Sequence, residues 1–335
     1  MFIPGALSDS CSVDWGVPQG SCLGPLLYII YSSKLFHIIE RHLPDSHCYA
    51  DDSQLYLSFR SDVLSSQQDA TFAIQNCIKD IRLWMEHDKL LLNDEKTEFL
   101  IIGTRQQLTK VNISSITVGN SDVMRSSVVK NLGVFIDDKL SMNSHVNKIC
   151  NTSFYYLHNI MRIRKHLSRK STETLIHAFV SSRLDYCNSL LYGLPQVQIE
   201  KLQRVQNAAA RLIFKEPKFS HITPVLYQLH WLPIKYRIEF KILLITFKAI
   251  HGMAPDYICK LISRKSSTRY LLRSSQRIML ETPSGRILST LGGRAFCYAA
   301  PKLWNNLPCK ISSLDSFSSF KCHLKTYLFK QAFNL

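Results

Sequence analysis

Residues 47–59, His-Cys-Tyr-Ala-Asp-Asp-Ser-Gln-Leu-Tyr-Leu-Ser-Phe, place two adjacent carboxylates between two short runs of apolar residues. After the pair, apolar and polar residues alternate, which is typical of a strand. The pattern predicts a strand-turn-strand unit with Asp51 and Asp52 at its tip. Carboxylate oxygens suit Mg²⁺, and two divalent ions close together can activate a hydroxyl and stabilise a departing pyrophosphate. Adjacent acids are also common in solvated turns, so the pair alone leaves both interpretations open.

A glycine-rich loop precedes this unit. Residues 16–25 read Gly-Val-Pro-Gln-Gly-Ser-Cys-Leu-Gly-Pro, and the apolar side of the following residues predicts a helix over 24–41. Pro25 suits the first turn of that helix. Glycine permits the backbone to approach a nucleotide closely, and the start of a helix offers free N–H groups. The loop is therefore a candidate nucleotide-binding segment.

Apolar periodicity divides the chain into three parts. Residues 1–138 contain strand patterns at 98–102, 113–118 and 128–136 and an amphipathic helix around 74–84, which together predict an α+β fold. Residues 139–219 carry three helical stripes and predict a small helical bundle. Residues 220–335 predict a mostly helical, basic region, with helices near 235–251 and 317–328.

The net charge of +16 is unevenly distributed along the chain. Residues 1–138 hold 11 Lys and Arg against 17 Asp and Glu, a net charge of −6. Residues 139–335 hold 30 against 8, a net charge of +22. This asymmetry predicts an acidic part that holds cations and a basic part that binds a polyanion, most often nucleic acid. A solvated basic surface is the alternative interpretation.

Composition argues against several other classes of protein. The chain has 335 residues, 46% of them hydrophobic and 20% charged, which is ordinary for globular domains. No apolar run approaches the length of roughly 18 residues that a membrane span needs, and the first residues do not form a signal peptide. We therefore expect no membrane association and an intracellular location, nuclear or cytoplasmic. The ten cysteines lie singly and predict reduced, mostly buried thiols rather than a disulfide or zinc scaffold.

Further motifs follow the Tyr49-Ala50-Asp51-Asp52 stretch. They are Leu-Leu-Asn-Asp-Glu-Lys-Thr-Glu at 91–98, Lys-Asn-Leu-Gly-Val-Phe-Ile-Asp at 130–137, Leu-Asp-Tyr-Cys-Asn at 184–188, Leu-Gln-Arg-Val-Gln-Asn-Ala-Ala-Ala-Arg at 202–211, Leu-His-Trp-Leu-Pro at 229–233, and Ala-Ala-Pro-Lys-Leu-Trp-Asn at 299–305. In this order, and together with the loop at 16–25, the motifs resemble the reverse transcriptase of non-LTR, LINE-type retrotransposons of the jockey and CR1 group. The resemblance covers nearly the whole chain from about Ser8 onward.

The resemblance implies a fold and a set of partners. It implies a partial polymerase palm over 1–138, a helical thumb over 139–219 and the basic C-terminal region of the retroelement polymerase over 220–335. It also implies Mg²⁺ as cofactor and an RNA template with a DNA primer as partners. The oligomeric state stays open.

The resemblance also assigns roles to individual residues. The carried-over positions are Asp51 and Asp52 as catalytic metal ligands, Lys96 near the incoming triphosphate, Gln19, Gly20, Tyr49 and Ala50 at the nucleotide and template, and Leu132 and Gly133 in the primer grip. Plainer interpretations stand beside these: Lys96 as a surface lysine, Gln19 as a loop residue, and Tyr49 as half of a cross-strand packing pair.

One expected part of such a polymerase is missing from the sequence. The family has a further metal-binding aspartate and a fingers region before the glycine-rich loop, whereas 15 residues precede Gly16 and hold two acids, Asp9 and Asp14. We therefore expect a fragment of an RNA-directed DNA polymerase that is inactive alone. The alternatives are a non-catalytic, basic nucleic-acid-binding remnant and a decayed copy without function.

Overall fold

The computed structural model describes residues 20–42, 45–265, 278–283 and 292–335. The chain forms two compact units, residues 1–129 and residues 130–335. Each contains helices, and short strands complete an α+β fold. The predicted α+β class is therefore confirmed at this level. The division into palm, thumb and C-terminal region stays a prediction.

The described residues of the first unit form four α-helices and five strands. In chain order they are α1 (Gly24–Ser32), α2 (Lys34–Ile39), β1 (Asp45–Tyr49), β2 (Asp52–Tyr56), α3 (Leu64–His87), β3 (Phe99–Leu100), α4 (Arg105–Leu108), β4 (Ser115–Val118) and β5 (Ser121–Ser126). β1 and β2 form one antiparallel pair, and β3, β5 and β4 form a three-stranded sheet in that order. Within it, β4 and β5 are antiparallel, while β3 and β5 are parallel over two residues.

The long helix α3 holds this unit together. Its buried residues Cys77 and Ile81 pack with Ile39 of α2, and Leu55 and Leu57 beside β2 contact the same cluster. At the start of the helix, the Gln67 amide donates to the carbonyls of Ser61 and Lys110 and accepts from the Asn112 N–H. The apolar stripe at helical spacing therefore became the surface on which the neighbouring elements pack.

Two sequence predictions for the first unit were wrong in detail. The single helix predicted over 24–41 is interrupted at Ser33, whose hydroxyl donates to the Ile30 carbonyl at 2.7 Å. Such bonds from serine to the preceding turn compete with regular helix geometry. The strand β5 was not predicted, because Ser, Asp and Arg interrupt its apolar pattern.

The unit boundary falls within a hairpin that had been predicted as one strand over 128–136. Its strands are β6 (Val128–Asn131) and β7 (Val134–Asp137). After it, the second unit is helical: α5 (Asn143–Ile163), α6 (Arg169–Ile176), α7 (Ser182–Asp185), α8 (Gln196–Phe214), α9 (Thr223–Gln228), α10 (Ile234–Ile250), α11 (Asp256–Cys259), α12 (Phe296–Asn305), α13 (Cys309–Ser312) and α14 (Phe317–Phe333). A π-helical segment, His177–Ser181, joins α6 to α7.

Local sequence fixes where several of these helices begin. The buried carboxylate of Asp137 accepts from the Ser141 and Met142 N–H groups at 2.9 and 2.7 Å, just before α5. Burial raises the pKa of Asp137, but these hydrogen bonds outweigh it and hold the pKa below its ordinary value. Proline in extended backbone immediately precedes α8, α10, α11 and α13, where its fixed φ and missing N–H are tolerated.

Two buried clusters form the core of the second unit. The larger draws side chains from α5, α8 and α10, including Val146, Leu202 and Ile238. The smaller surrounds Phe247, Trp304 and Phe320, which are stacked or tilted against one another. The apolar stripes of α5, α8 and α14 were predicted from sequence, and burial confirms them.

The cysteines correct one prediction. All nine cysteines among the described residues are free thiols, but of these only Cys77 and Cys150 are buried. The prediction that the thiols are mostly buried was therefore wrong. In the described part of the chain, no helix combines the length and apolar character that a bilayer crossing requires.

Candidate functional site

The carboxylate pair lies at the tip of the predicted hairpin. β1 and β2 pair from Asp45 opposite Tyr56 to Tyr49 opposite Asp52, which leaves Ala50 and Asp51 as a two-residue loop. Ala50 has a φ of +54°, a conformation that alanine adopts at a cost of about 1 kcal/mol. Two-residue hairpin loops demand positive φ at the first position. The tight turn holds two consecutive carboxylates at the end of a ladder.

Both carboxylates are exposed to solvent. Tyr49, opposite Asp52, is 69% exposed, so it is not the packed half of a cross-strand pair. A second tyrosine, Tyr28, lies near the carboxylates. Burial raises the pKa of Tyr28, and the nearby Asp51 carboxylate and Cys48 thiol raise it further. Sequence reasoning did not single out Tyr28. Its position on α1, directly after the glycine-rich loop, was the available signal.

Lys96 lies in a short turn that follows the long helix α3 in the chain. It closes a 3₁₀ turn, Asp94–Lys96, whose start is capped by the Asn93 side chain accepting from the Lys96 N–H at 3.2 Å. The Arg82 guanidinium on α3 forms an ion pair with Asp94. Lys96 itself is exposed, and among the described residues no ion pair joins it to Asp51 or Asp52.

The described residues do not by themselves fit a two-metal centre. Among them no group of three or more His, Cys, Asp or Glu side chains could hold a metal ion. Asp51 and Asp52 thus supply two carboxylates, whereas ions held a few ångströms apart need further oxygen ligands. Of the glycine-rich loop, Gly20 is exposed with a φ of +91°, and Gln19 lies outside the described residues.

In the second unit, Leu132 and Gly133 form the turn between β6 and β7. Both have positive φ, +44° and +82°, as a type I′ hairpin turn requires. The Tyr186 hydroxyl donates to the Leu132 carbonyl at 2.6 Å, and a Cβ added to Gly133 would lie 3.6 Å from the Tyr186 ring. Tyr186 therefore supports the turn from the helical side, a role that its motif did not reveal from sequence.

Three of the remaining motifs meet in one hydrogen-bonded network. Arg237 of α10 bonds both carboxylate oxygens of Asp185, at 2.9 and 2.8 Å, and donates to the Leu232 carbonyl at 2.9 Å. The Gln206 amide donates to the same carbonyl at 2.9 Å, and Gln203 accepts from the Ile234 N–H. The motifs at 184–188, 202–211 and 229–233 therefore act here as structural elements that lock α8 and α10 together.

Comparison with known proteins gives one family and several relatives. Residues 6–136 match the family model described as reverse transcriptase (RNA-dependent DNA polymerase). The chain is 26% identical over 220 residues to the probable RNA-directed DNA polymerase from transposon X-element of Drosophila melanogaster, covering 62% of this chain and 22% of the relative.

Two further relatives come from the same organism. The probable RNA-directed DNA polymerase from transposon BS is 26% identical over 219 residues, 61% of this chain and 23% of the relative. The RNA-directed DNA polymerase from mobile element jockey is 26% identical over 143 residues, 40% of this chain and 14% of the relative. The chain thus spans about a fifth of the length of these curated relatives. No solved structure matches the chain.

Proposed function

We propose that this chain, which over residues 6–136 is a reverse transcriptase domain of the LINE-type retrotransposon family, is part of an RNA-directed DNA polymerase that contributes the carboxylate hairpin of the active site. The observation that carries the proposal is the two-residue turn that holds Asp51 beside Asp52 at the end of β1 and β2. Reverse transcriptases use divalent metal ions, and exposed adjacent carboxylates are the side chains that bind them.

The other site residues have roles in the same proposal. Tyr49 and Ala50 flank the carboxylates and, with Gln19 and Gly20, contact the incoming nucleotide and the template. Lys96 neutralises the triphosphate. In the second unit, Leu132 and Gly133 contact the primer strand, and the helical region over 139–219 serves as the thumb. An RNA template and a DNA primer are the proposed partners.

The chain alone is proposed not to polymerise. Two carboxylates leave a pair of divalent ions short of oxygen ligands, and charge repulsion between ions that share too few carboxylates opposes their binding. Asp51 and Asp52 should still bind one Mn²⁺ ion weakly. Paramagnetic resonance of Mn²⁺ during titration measures that affinity, with Asp51→Asn expected to abolish binding at the site. Asp45→Asn, an exposed aspartate at the far end of the same ladder, is the matched control that should leave it unchanged.

Primer extension tests the catalytic part. On poly-A RNA primed with oligo(dT), with Mg²⁺ or Mn²⁺, we expect no incorporation above the background of Asp51→Asn, together with retention of the primed template. Incorporation lost in Asp51→Asn but kept in Asp45→Asn would confirm the hairpin's role and contradict the inactivity. Incorporation that survives Asp51→Asn would contradict the assignment of the hairpin.

A second candidate function is nucleic-acid binding without catalysis. It is favoured by the net charge of +22 over residues 139–335. Binding through phosphate contacts weakens steeply with salt because bound counterions are released. We therefore expect retention of a labelled RNA at about 50 mM salt to be lost near 200 mM. Binding absent at low salt, or insensitive to salt, would count against this function.

A further inference from the structure

Several aromatic side chains are exposed on one side of α5 and the π-helical segment. Tyr155 is 63% exposed and Phe179 is 40% exposed. Between them lies the half-buried Tyr156, whose ring stacks on Phe179 with centroids 5.0 Å apart and 19° between planes. Tyr155 meets Tyr156 edge-on at 5.4 Å. Removing large apolar rings from water lowers the free energy, so a cluster of rings that stay exposed indicates a binding surface.

The π-helical segment carries one of these rings, that of Phe179. His177–Ser181 forms a single wide turn between α6 and α7. Its inward residues Val180 and Ser181 are buried, while Phe179 faces solvent. π-helical turns are rare and occur frequently at functional sites. Here the wide turn places an aromatic ring on the surface beside Tyr156.

A cation extends the cluster toward the β6–β7 turn. The Arg183 guanidinium lies 5.0 Å from the centroid of the Tyr156 ring and donates to its hydroxyl at 3.5 Å. Tyr186 follows three residues later and bonds the Leu132 carbonyl. Arg183 lies in α7, and Tyr186 is the first residue after that helix, with extended backbone. Tyr155, Tyr156, Phe179, Arg183 and Tyr186, here called the aromatic strip, therefore lead from α5 to the turn proposed to contact the primer.

Charge around the aromatic strip selects the partner. Residues 143–185 contain seven Lys and Arg, of which Arg164 is buried, but only two acids, Glu173 and Asp185. Both acids are engaged, Glu173 with His177 at 3.6 Å and Asp185 with Arg237 at 2.8 Å. Asp185 is thus paired with a permanent cation, and Glu173 is the one remaining acid of this segment. A surface of stacked rings with a positive surrounding matches a strand whose bases are unpaired and whose phosphates are negative.

We propose that the aromatic strip binds single-stranded nucleic acid, with unpaired bases stacking on Tyr155 and Phe179 and a phosphate contacting Arg183. The inference rests on the proposed function, because it extends the primer-contacting turn into a path for an unpaired stretch of the strand. Single strands are favoured over duplex, because only unstacked bases offer free faces to aromatic rings.

Fluorescence anisotropy of the full chain with a labelled 20-nucleotide oligo(dT) tests the proposal, with a 20-base-pair duplex measured in parallel. Tyr155→Ala and Phe179→Ala should each weaken oligo(dT) binding about tenfold, since stacking on one ring supports roughly this change per base. Phe179→Trp, which keeps an aromatic ring at this position, should bind oligo(dT) as the unaltered chain does. In all of these variants the affinity for the duplex should change less than about twofold. Phe219→Ala is the matched control, because Phe219 is 92% exposed in the same basic unit but lies outside the strip.

Each outcome bears on a defined claim. Unchanged oligo(dT) affinity in both alanine variants, with folding intact by circular dichroism, would overturn the aromatic strip and leave the proposed function standing. Equal losses for duplex and single strand would also overturn it. Failure of the unaltered chain to bind any nucleic acid would contradict the proposed function itself. Sedimentation velocity tests whether a second copy of the chain covers the aromatic strip instead. If Tyr155→Ala separates a dimer without weakening oligo(dT) binding, the aromatic strip is an interface between copies.

Discussion

Arg164 lies within a run of basic residues and yet is only 8% exposed. Its guanidinium donates to the carbonyls of Leu212, Ile213 and Leu167 at 2.8–2.9 Å. Two of these carbonyls belong to the last turn of α8, where helix geometry leaves C=O groups without partners. Arg164 therefore closes a helix end, although it lies in a run of basic residues.

Arg164→Ala should lower the free energy of unfolding by roughly 3 kcal/mol, because three carbonyls lose a charged donor and that of Ile213 is buried. Arg162→Ala, two residues away and exposed, should change it by less than about 0.5 kcal/mol. Urea unfolding followed by circular dichroism compares the two. Arg164→Lys should not restore stability, since an ammonium cannot reproduce the planar fork of donors. Equal effects of the two alanine variants would contradict the capping role.

The buried His145 should make the stability of the second unit depend on pH in mild acid. Burial lowers the pKa of His145, whose Nδ1 accepts from the Phe135 N–H at 3.5 Å and whose Nε2 is buried without a partner in the described part of the chain. In the unfolded chain the imidazole of His145 takes up a proton near pH 6.5, whereas in the folded chain it stays neutral to a lower pH. The contribution of neutral His145 to stability is therefore fully present above about pH 6.5. It is lost as the pH falls toward the lowered pKa of His145 in the folded chain.

The expected slope below pH 6.5 is at most about 1.4 kcal/mol per pH unit for this one group. Urea unfolding at several pH values between 5 and 8 measures it. His145→Gln should flatten the profile, and His158→Gln, an exposed histidine on the same helix, should leave it as it is. A profile that stays steep in His145→Gln would show that another group controls the acid response.

At the scale of elements, apolar periodicity predicted the long helices. α3, α5, α8, α10 and α14 were anticipated because each buries one stripe against a core. β5 was missed because four of its six side chains are Ser, Asp or Arg and because one of its two partners, β3, lies earlier in the chain, before α4 and β4. Strand pairing depends on such non-local neighbours, which a single sequence does not reveal.

The candidate site was predictable to a similar extent. The hairpin around Asp51 was predicted and is confirmed, because alternation and an acidic turn are local signals. The support of Leu132 by Tyr186, and the pairing of Asp185 with Arg237, join positions more than fifty residues apart. The sequence order of the motifs suggested that they belong together but not that they bond to one another. The chemical roles of the site residues stay predictions.

The helix α1 gives a prediction about self-association. None of its residues is buried, and Ile29 and Ile30 are each 62% exposed. An exposed apolar helix face promotes association of copies. Ile29→Lys combined with Ile30→Lys should therefore reduce aggregation in light scattering while changing the free energy of unfolding by less than about 1 kcal/mol. Ile39→Lys, at a residue 2% exposed in α2, should instead unfold the first unit. Comparable unfolding by both variants would show that α1 is packed.

At the scale of the whole molecule, the two units differ in how much apolar surface they bury. Around α3 the buried cluster contains Ile39, Cys77 and Ile81, whereas the second unit holds two larger clusters built from several helices. Burial of apolar area is the main favourable contribution to folding. Units with separate cores of unequal size need not unfold in one cooperative step. The first unit is therefore expected to be the less stable one.

Hydrogen exchange of the intact chain in increasing urea should show this inequality. Amides in the middle of α3 should lose protection at a lower urea concentration than amides in the middle of α10, because the smaller core opens first. Cys77→Ala, which truncates a fully buried side chain, should lower the α3 transition by about 1–2 kcal/mol and leave the α10 transition in place. Thr246→Ala, on the buried side of α10, should shift α10 alone. Coincident transitions that move together in both variants would instead show that the two units unfold as one.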